Sequence, residues 1–310
     1  MTTINITNKN YLKIYTNKNN DIFRKGTQLA VNELNITGLH GIVYDDFNPN
    51  QLIINSWKKE YPEMIIYYVA TRAKTLTMDS KIDFYKKMNT SKYTPDTYLN
   101  FSDIPNETSS DELFFVKLDG GTGSRGVNVY KYNDLSGVKT NNCVIQKSMQ
   151  NPDLYQNKRY KMRIHVILHN KEVYYCKNHW TSASTINYDN SNNSDLREMN
   201  IVYQKKDTIW IMSDKLENYN LIEDNIILAL KDFKKSYLKE IENIVDKEFV
   251  ILGFDFVVDS DMNVHIIEMN HRSNYGHPKL ISDKTDVLCI KDLIKLLINK
   301  THENTDLLLI

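Results

Sequence analysis

The sequence predicts a mixed α+β protein that opens with a small α/β unit. Three observations carry that expectation. Short β-rich runs alternate with a helical stretch over the first 75 or so residues. Apolar runs of strand length, broken by glycine or polar turns, fill the middle of the chain. Two long segments near the C-terminus repeat apolar residues at helical spacing.

Taken in order, residues 11–15, 42–44 and 65–69 read as strands around a helix over 22–34. Residues 79–88 read as a helix, and NTSKYTPDTYL after it as turns and then a strand. The apolar run 114–118 ends at a glycine cluster, and 126–132 alternates again, which is a hairpin with a long Gly-rich tip. Strands follow at 143–146, 162–168 and 173–176. The stretch YDNSNNSDLREMN has the strongest loop signal in the chain and reads as a mobile surface loop. Residues 225–247 are periodic in Ile227, Leu230, Phe233, Tyr237, Ile241 and Ile244, the longest helix expected. A strand hairpin over 251–269 and an amphipathic helix over 286–299 close the chain.

Composition narrows the function classes. Of 310 residues, 39 are Lys or Arg and 39 are Asp or Glu, so the chain lacks the basic excess of a nucleic-acid binder, and no nucleic-acid partner is expected. Hydrophobic residues at 41% with only 6 Pro and 10 Gly exclude disordered and fibrous classes. Three cysteines without CxxC spacing fit neither a disulfide framework nor a zinc site. With no signal-peptide pattern and no apolar run of membrane-spanning length, the expectation is a cytoplasmic protein without a membrane partner.

Chemistry concentrates in three segments. In GFDFVVDSDMNVHIIEMNHRS, a turn at 260–263 makes paired positions face so that Asp255 lies opposite Glu268, with Asn270 on the same face. Two carboxylates so close repel unless a cation sits between them, and an oxygen-only donor set suits Mg²⁺ or Mn²⁺. A half-solvated edge hairpin gives the same alternation. In ELFFVKLDGGTGSRGVNVYK, a strand delivers Lys117 to a run containing Gly120, Gly121, Gly123 and Gly126, whose backbone is free to wrap an anion. It is not a Walker A sequence, and a flexible hairpin tip explains it equally well. In CVIQKSMQNPDLYQNKRYKMRIHVIL, the backbone of Lys147, Ser148 and Met149 is placed to meet an adenine edge. Alternation then puts Lys161, Arg163 and His165 on one face of the next strand. Arg163 suits a phosphoryl oxygen, although a basic strand face is most often solvated.

In this order along the chain, the three segments resemble the tubulin-tyrosine-ligase-like branch of the ATP-grasp superfamily over residues 89–278 or so. The resemblance implies an ATP-grasp fold in which nucleotide is held between two α+β lobes. It divides the chain into a pre-grasp domain (1–75), a central lobe (76–150) and a C-terminal lobe with the metal hairpin (151–310). It implies ATP-dependent joining of a carboxylate to an amine through an acyl phosphate, with ATP and two Mg²⁺ ions, or Mn²⁺ in their place. The carboxylate and amine would be a small molecule or a peptide. Lys117 would contact phosphates, with Gly121, Gly123, Ser124 and Gly126 closing over them. Gln146, Lys147 and Met149 would line the adenine pocket, while Arg159, Lys161 and Asn200 would also touch nucleotide. Arg163 would face the γ-phosphate, and Asp255, Glu268 and Asn270 the metal; separately, the position of Arg272 in NHRSNYGHP just after the hairpin suits either a substrate contact or a structural loop. Lys87 or Lys92 would approach the nucleotide from the segment DFYKKMNTSKYTPDTYL.

Two departures from the family pattern stand out. Where the family commonly reads KFDxR, this chain reads RYKMR, so Lys161 replaces a customary acid. Where an RTS-like arginine is usual, the chain has Trp180 followed by Thr181 and Ser182. The first bears on the usual ribose or phosphate contacts and the second on the usual amino-acid substrate, so tubulin is not expected as the acceptor. The same residues admit two other outcomes, a kinase for a phosphorylated polyol such as an inositol phosphate, and a catalytically silent ATP-binding protein.

Overall fold

The structure is a computed structural model that describes residues 2–5, 12–16, 20–34, 36, 38–45, 50–120, 126–188, 208–271 and 278–310. Its fold is mixed α+β, as the sequence predicts. Strands β1 (Thr2–Asn5), β2 (Leu12–Thr16), β3 (His40–Tyr44) and β4 (Ile65–Val69) come first. β2, β3 and β4 run parallel and therefore need crossovers, supplied by helices Asn20–Glu33 and Gln51–Glu60. The second of these helices has no counterpart in the sequence reading. The Asn50 side chain caps it by accepting from the Ile53 N–H, and it buries Ile54 and Trp57.

The next four strands, β5 (Thr97–Tyr98), β6 (Leu113–Leu118), β7 (Val127–Lys131) and β8 (Cys143–Lys147), form a separate sheet in the order β5-β8-β6-β7. The expected β6–β7 hairpin is present, and its neck shows why a glycine closes it. Gly126 has φ +74°, and a Cβ there would lie 2.9 Å from the Leu118 Cβ.

The remaining strands are β9 (Leu154–Tyr155), β10 (Lys158–His169), β11 (Glu172–Cys176), β12 (Trp180–Ala183), β13 (Ile209–Met212), β14 (Glu248–Val258), β15 (Val264–Asn270) and β16 (Leu307–Leu309). Among the described residues the large sheet holds twelve strands, in the order β1-β2-β3-β4-β14-β10-β11-β16 with four more off that path. β14 pairs in parallel with β4, so the first strands and the last share one sheet.

Both faces of β10 and β14 are covered, although β10 alternates apolar with basic residues. Met162, Ile164, Val166 and Leu168 of β10 join Val250, Leu252, Phe254 and Phe256 of β14 under the Tyr219–Ser236 helix. On the other face, Ile167, Phe249 and Ile251 pack under the Asp286–Asn299 helix. That face carries Lys161, Arg163 and Asp255 farther along the strands.

The C-terminal helix falls where periodicity puts it. The helix expected over 225–247 instead spans Tyr219–Ser236, breaks at Tyr237 (φ −110°) and resumes over Leu238–Glu242. Apolar periodicity continues through the break because Tyr237, Ile241 and Ile244 all remain in the core, so the pattern does not reveal it. The loop YDNSNNSDLREMN falls largely outside the described residues. No helix among the described residues is long and apolar enough to cross a membrane.

Candidate active site

The β14–β15 hairpin places Asp255 directly opposite Glu268, as expected, but by a different register. Near the turn, Val258 faces Val264 and Asp259 bonds to Asn263, one residue out of step with the predicted pairing. A β-bulge then inserts Ile267, and from Asp255 onward the pairing shifts by one. Without that extra residue Glu268 would pair with Phe254 and turn to the opposite face. The bulge is anchored on both sides, since the Ile266 N–H donates to the Tyr93 carbonyl (2.7 Å) and the Ile267 carbonyl accepts from Lys117 Nζ (3.0 Å).

Arg163 lies opposite Asp255 across the β10–β14 pair, and Lys161 sits two residues along the same face. Arg163 donates to both carboxylate oxygens through Nε and Nη2 (3.1 Å to Oδ2), and Lys161 Nζ lies 3.3 Å from Oδ2. All three side chains are buried. Burial pushes the Asp255 carboxyl up, but Arg163 and Lys161 together outweigh it and hold the group below the ordinary carboxylate range. The basic face of β10 is therefore an interior charge cluster rather than a solvated edge. Trp180, opposite Arg163 on β12, is fully buried with its ring 5.9 Å from the guanidinium and tilted against that of Trp210, so it is a core residue.

The four-stranded sheet supplies the facing wall. Lys117 Nζ donates to Gln146 Oε1 (2.6 Å), and Gln146 Nε2 donates to Thr97 Oγ1 (3.2 Å), so the amide holds the ammonium in place. Burial lowers the Lys117 pKa to about 8, although the Glu268 charge acts to raise it. In the segment read as an adenine contact, the Lys147 N–H is engaged with the Asp96 carbonyl and the Ser148 N–H with that of Leu113. Among the described residues the Met149 N–H has no such partner, which narrows the expected edge to that group. Arg159 steadies the segment by donating Nη1 to the Met149 carbonyl (3.2 Å) and stacking over Tyr188.

Between these walls lies a cleft of about 890 Å³, including its open mouth, lined by Lys117, Gln146, Lys147, Met149, Arg159, Lys161, Asp255 and Glu268 among others. Residues from all three sequence segments thus meet in one place. Asn270 follows on the hairpin opposite Gly253, its Nδ2 buried without a hydrogen-bond partner. No group of three or more His, Cys, Asp or Glu side chains arranged for a metal occurs among the described residues.

Lys81 escapes the sequence reading, yet its Nζ lies 3.2 Å from Glu268 Oε1. It begins the Lys81–Met88 helix, where Asp119 accepts from the Lys81 N–H (2.7 Å) and from Ser80 Oγ (3.2 Å). The acid that opens the glycine run therefore also fixes this helix end. Lys87 and Lys92 do not reach the cleft: Lys87 pairs with Glu240 (2.8 Å), and Lys92 lies over the Tyr93 ring. Gly121, Gly123, Ser124, Asn200 and Arg272 lie outside the described residues.

The chain is similar to Tubulin glycylase 3C of Tetrahymena thermophila. The two are 22% identical over 232 residues, 64% of this chain, and the match spans about a fifth (21%) of the relative's length. That similarity supports a tubulin-tyrosine-ligase-like family. No family model matches the chain.

Proposed function

We propose that the protein is an ATP-dependent ligase of the ATP-grasp type that joins a carboxylate to an amine, with the nucleotide lying in the cleft between the two sheets. The observation that carries this reading is the cleft itself, in which Lys117, Gln146, Met149, Arg163's partner Asp255 and Glu268 converge from segments far apart in sequence. Similarity to a tubulin glycylase supports the ligase reading, because that relative's name denotes addition of glycine.

Lys117 is placed to neutralise phosphate, and the Met149 N–H to donate to a base edge. Glu268 faces the cleft with about a quarter of its side chain exposed, and Asn270 has a buried amide nitrogen that no protein group engages. Turned by 180°, that amide presents an oxygen to a hard cation. Glu268 and Asn270 therefore fit a Mg²⁺ ion, which when bound would neutralise charge on the transferring phosphoryl group. Asp255 plays a different part, since its oxygens already face Arg163 and Lys161. A carboxylate resists attack by an amine until it is phosphorylated, and Arg163, held rigidly by Asp255, is the group suited to stabilise charge on the oxygens in transfer.

Incubation with ATP, Mg²⁺ and a metabolite or peptide extract is expected to yield ADP, free phosphate and a new amide, read by mass spectrometry. The burial of Arg159 and Lys161 in the cleft favours one second reading, a kinase for a phosphorylated polyol, which would give ADP and a phosphorylated product without free phosphate. Nucleotide bound with no turnover of any acceptor would count for a silent ATP-binding protein. Lys117 adds a pH signature. With a pKa near 8, its ammonium is present at neutral pH and lost above, so ATP affinity should fall by up to roughly tenfold per unit as pH rises beyond 8. Lys117→Arg keeps its charge and should flatten that profile in a fluorescent-nucleotide titration.

A further inference from the structure

Resting on the nucleotide reading above, we propose that Lys161 supplies in covalent form the charge of one cation, so that the cleft takes its nucleotide with a single divalent ion. The geometry is direct. Lys161 Nζ lies 3.3 Å from Asp255 Oδ2, on the cleft side of a buried carboxylate whose other contacts come from Arg163. An ion coordinated by Asp255 would need the same oxygen and the same space, and two cations that close repel strongly in a buried setting. Lys161 is buried, on a strand paired with β12 on one side and β14 on the other.

Charge balance points the same way. Among the described residues that line the cleft, Lys117, Lys147, Arg159 and Lys161 stand against Asp255 and Glu268, an excess of two positive charges. A nucleoside triphosphate brings about four negative charges. One divalent ion closes that balance, and a second would leave the site as positive as it began. Glu268 and Asn270 remain as the oxygen donors for that one ion. The consequence for substrate is that the Asp255 side of the cleft presents a fixed ammonium instead of an exchangeable ion, available to an anionic group of the acceptor whatever the metal concentration.

Mn²⁺ titrated into the full chain saturated with a non-hydrolysable ATP analogue, with free ion read by electron paramagnetic resonance, tests this without reference to activity. The wild-type protein should bind one analogue-dependent Mn²⁺ per chain, and Lys161→Asp should bind two. Lys161→Gln, which removes the charge without adding a carboxylate, should weaken analogue affinity. Two ions on the wild-type protein overturn the inference and leave the nucleotide reading standing. No analogue-dependent Mn²⁺ at all overturns both, and the wild-type count decides the matter even if Lys161→Asp does not fold.

Discussion

Glu268→Gln should lower ATP-dependent turnover by about a hundredfold or more, the scale on which loss of one charge-stabilising group acts at a site of phosphoryl transfer. The substitution keeps shape and removes only the negative charge. Its cost to the fold should be small. Glu268 is about a quarter exposed, and its contact with Lys81 at 3.2 Å is an ion pair at a cleft mouth, where such pairs contribute on the order of 0–1 kcal/mol. Kinetics and a thermal melt on the same preparation therefore separate the two roles. An unshifted melt with lost turnover is the expected pattern, accompanied by a raised Mg²⁺ requirement. Near-normal turnover in Glu268→Gln would remove this carboxylate, and the cation it is argued to hold, from the reaction.

That prediction depends on a hairpin geometry the sequence reaches only in part. Alternation in GFDFVVD and VHIIEMN identifies the strands, and Asp255 does face Glu268. The turn closes one residue away from the predicted register, however, and Ile267 bulges to restore it. Nothing in the local sequence announces the bulge, because β15 carries no glycine there. What fixes it is remote: the Tyr93 carbonyl on one side and the Lys117 ammonium on the other. Lys81 is invisible in the sequence for a similar reason. A lysine at a helix start normally belongs to a solvated face, and only the approach of β15 gives it an anion. By contrast Lys117, Gln146 and Glu268 are legible, since a polar residue inside an apolar strand asks for a partner whatever the tertiary arrangement.

The β10 charges show the limit of that logic. Lys161 and Arg163 read equally well as a solvated strand face, and what buries them is the covering of both sheet faces, with Asp255 brought opposite by β14. The chemical consequence differs sharply between the two environments. On a surface the cluster would contribute little, whereas here each charge needs its neighbours to remain folded.

Asp255→Ala should accordingly destabilise the protein by about 3–5 kcal/mol, the scale seen when one partner of a buried ion pair is removed and the other is left without compensation. Two cations, Lys161 and Arg163, would lose the carboxylate between them. The loss should appear as a fall in the denaturant midpoint with an unchanged slope. It should be largely reversed when Lys161→Met and Arg163→Met are added, because apolar side chains of similar reach need no counter-charge. Acid unfolding supplies an independent check. The folded Asp255 carboxyl lies below its ordinary value of 3.8, so its contribution is fully present above that pH and is lost as pH falls below it toward the lower folded value. Wild-type stability should thus show a carboxylate-dependent decline below pH 3.8 that the triple variant lacks. A small effect of Asp255→Ala, with the same acid limb in both proteins, would mean that water already solvates Lys161 and Arg163. In that event the space in front of Asp255 would be open to an exchangeable ion, and the single-cation arrangement would lose its structural basis.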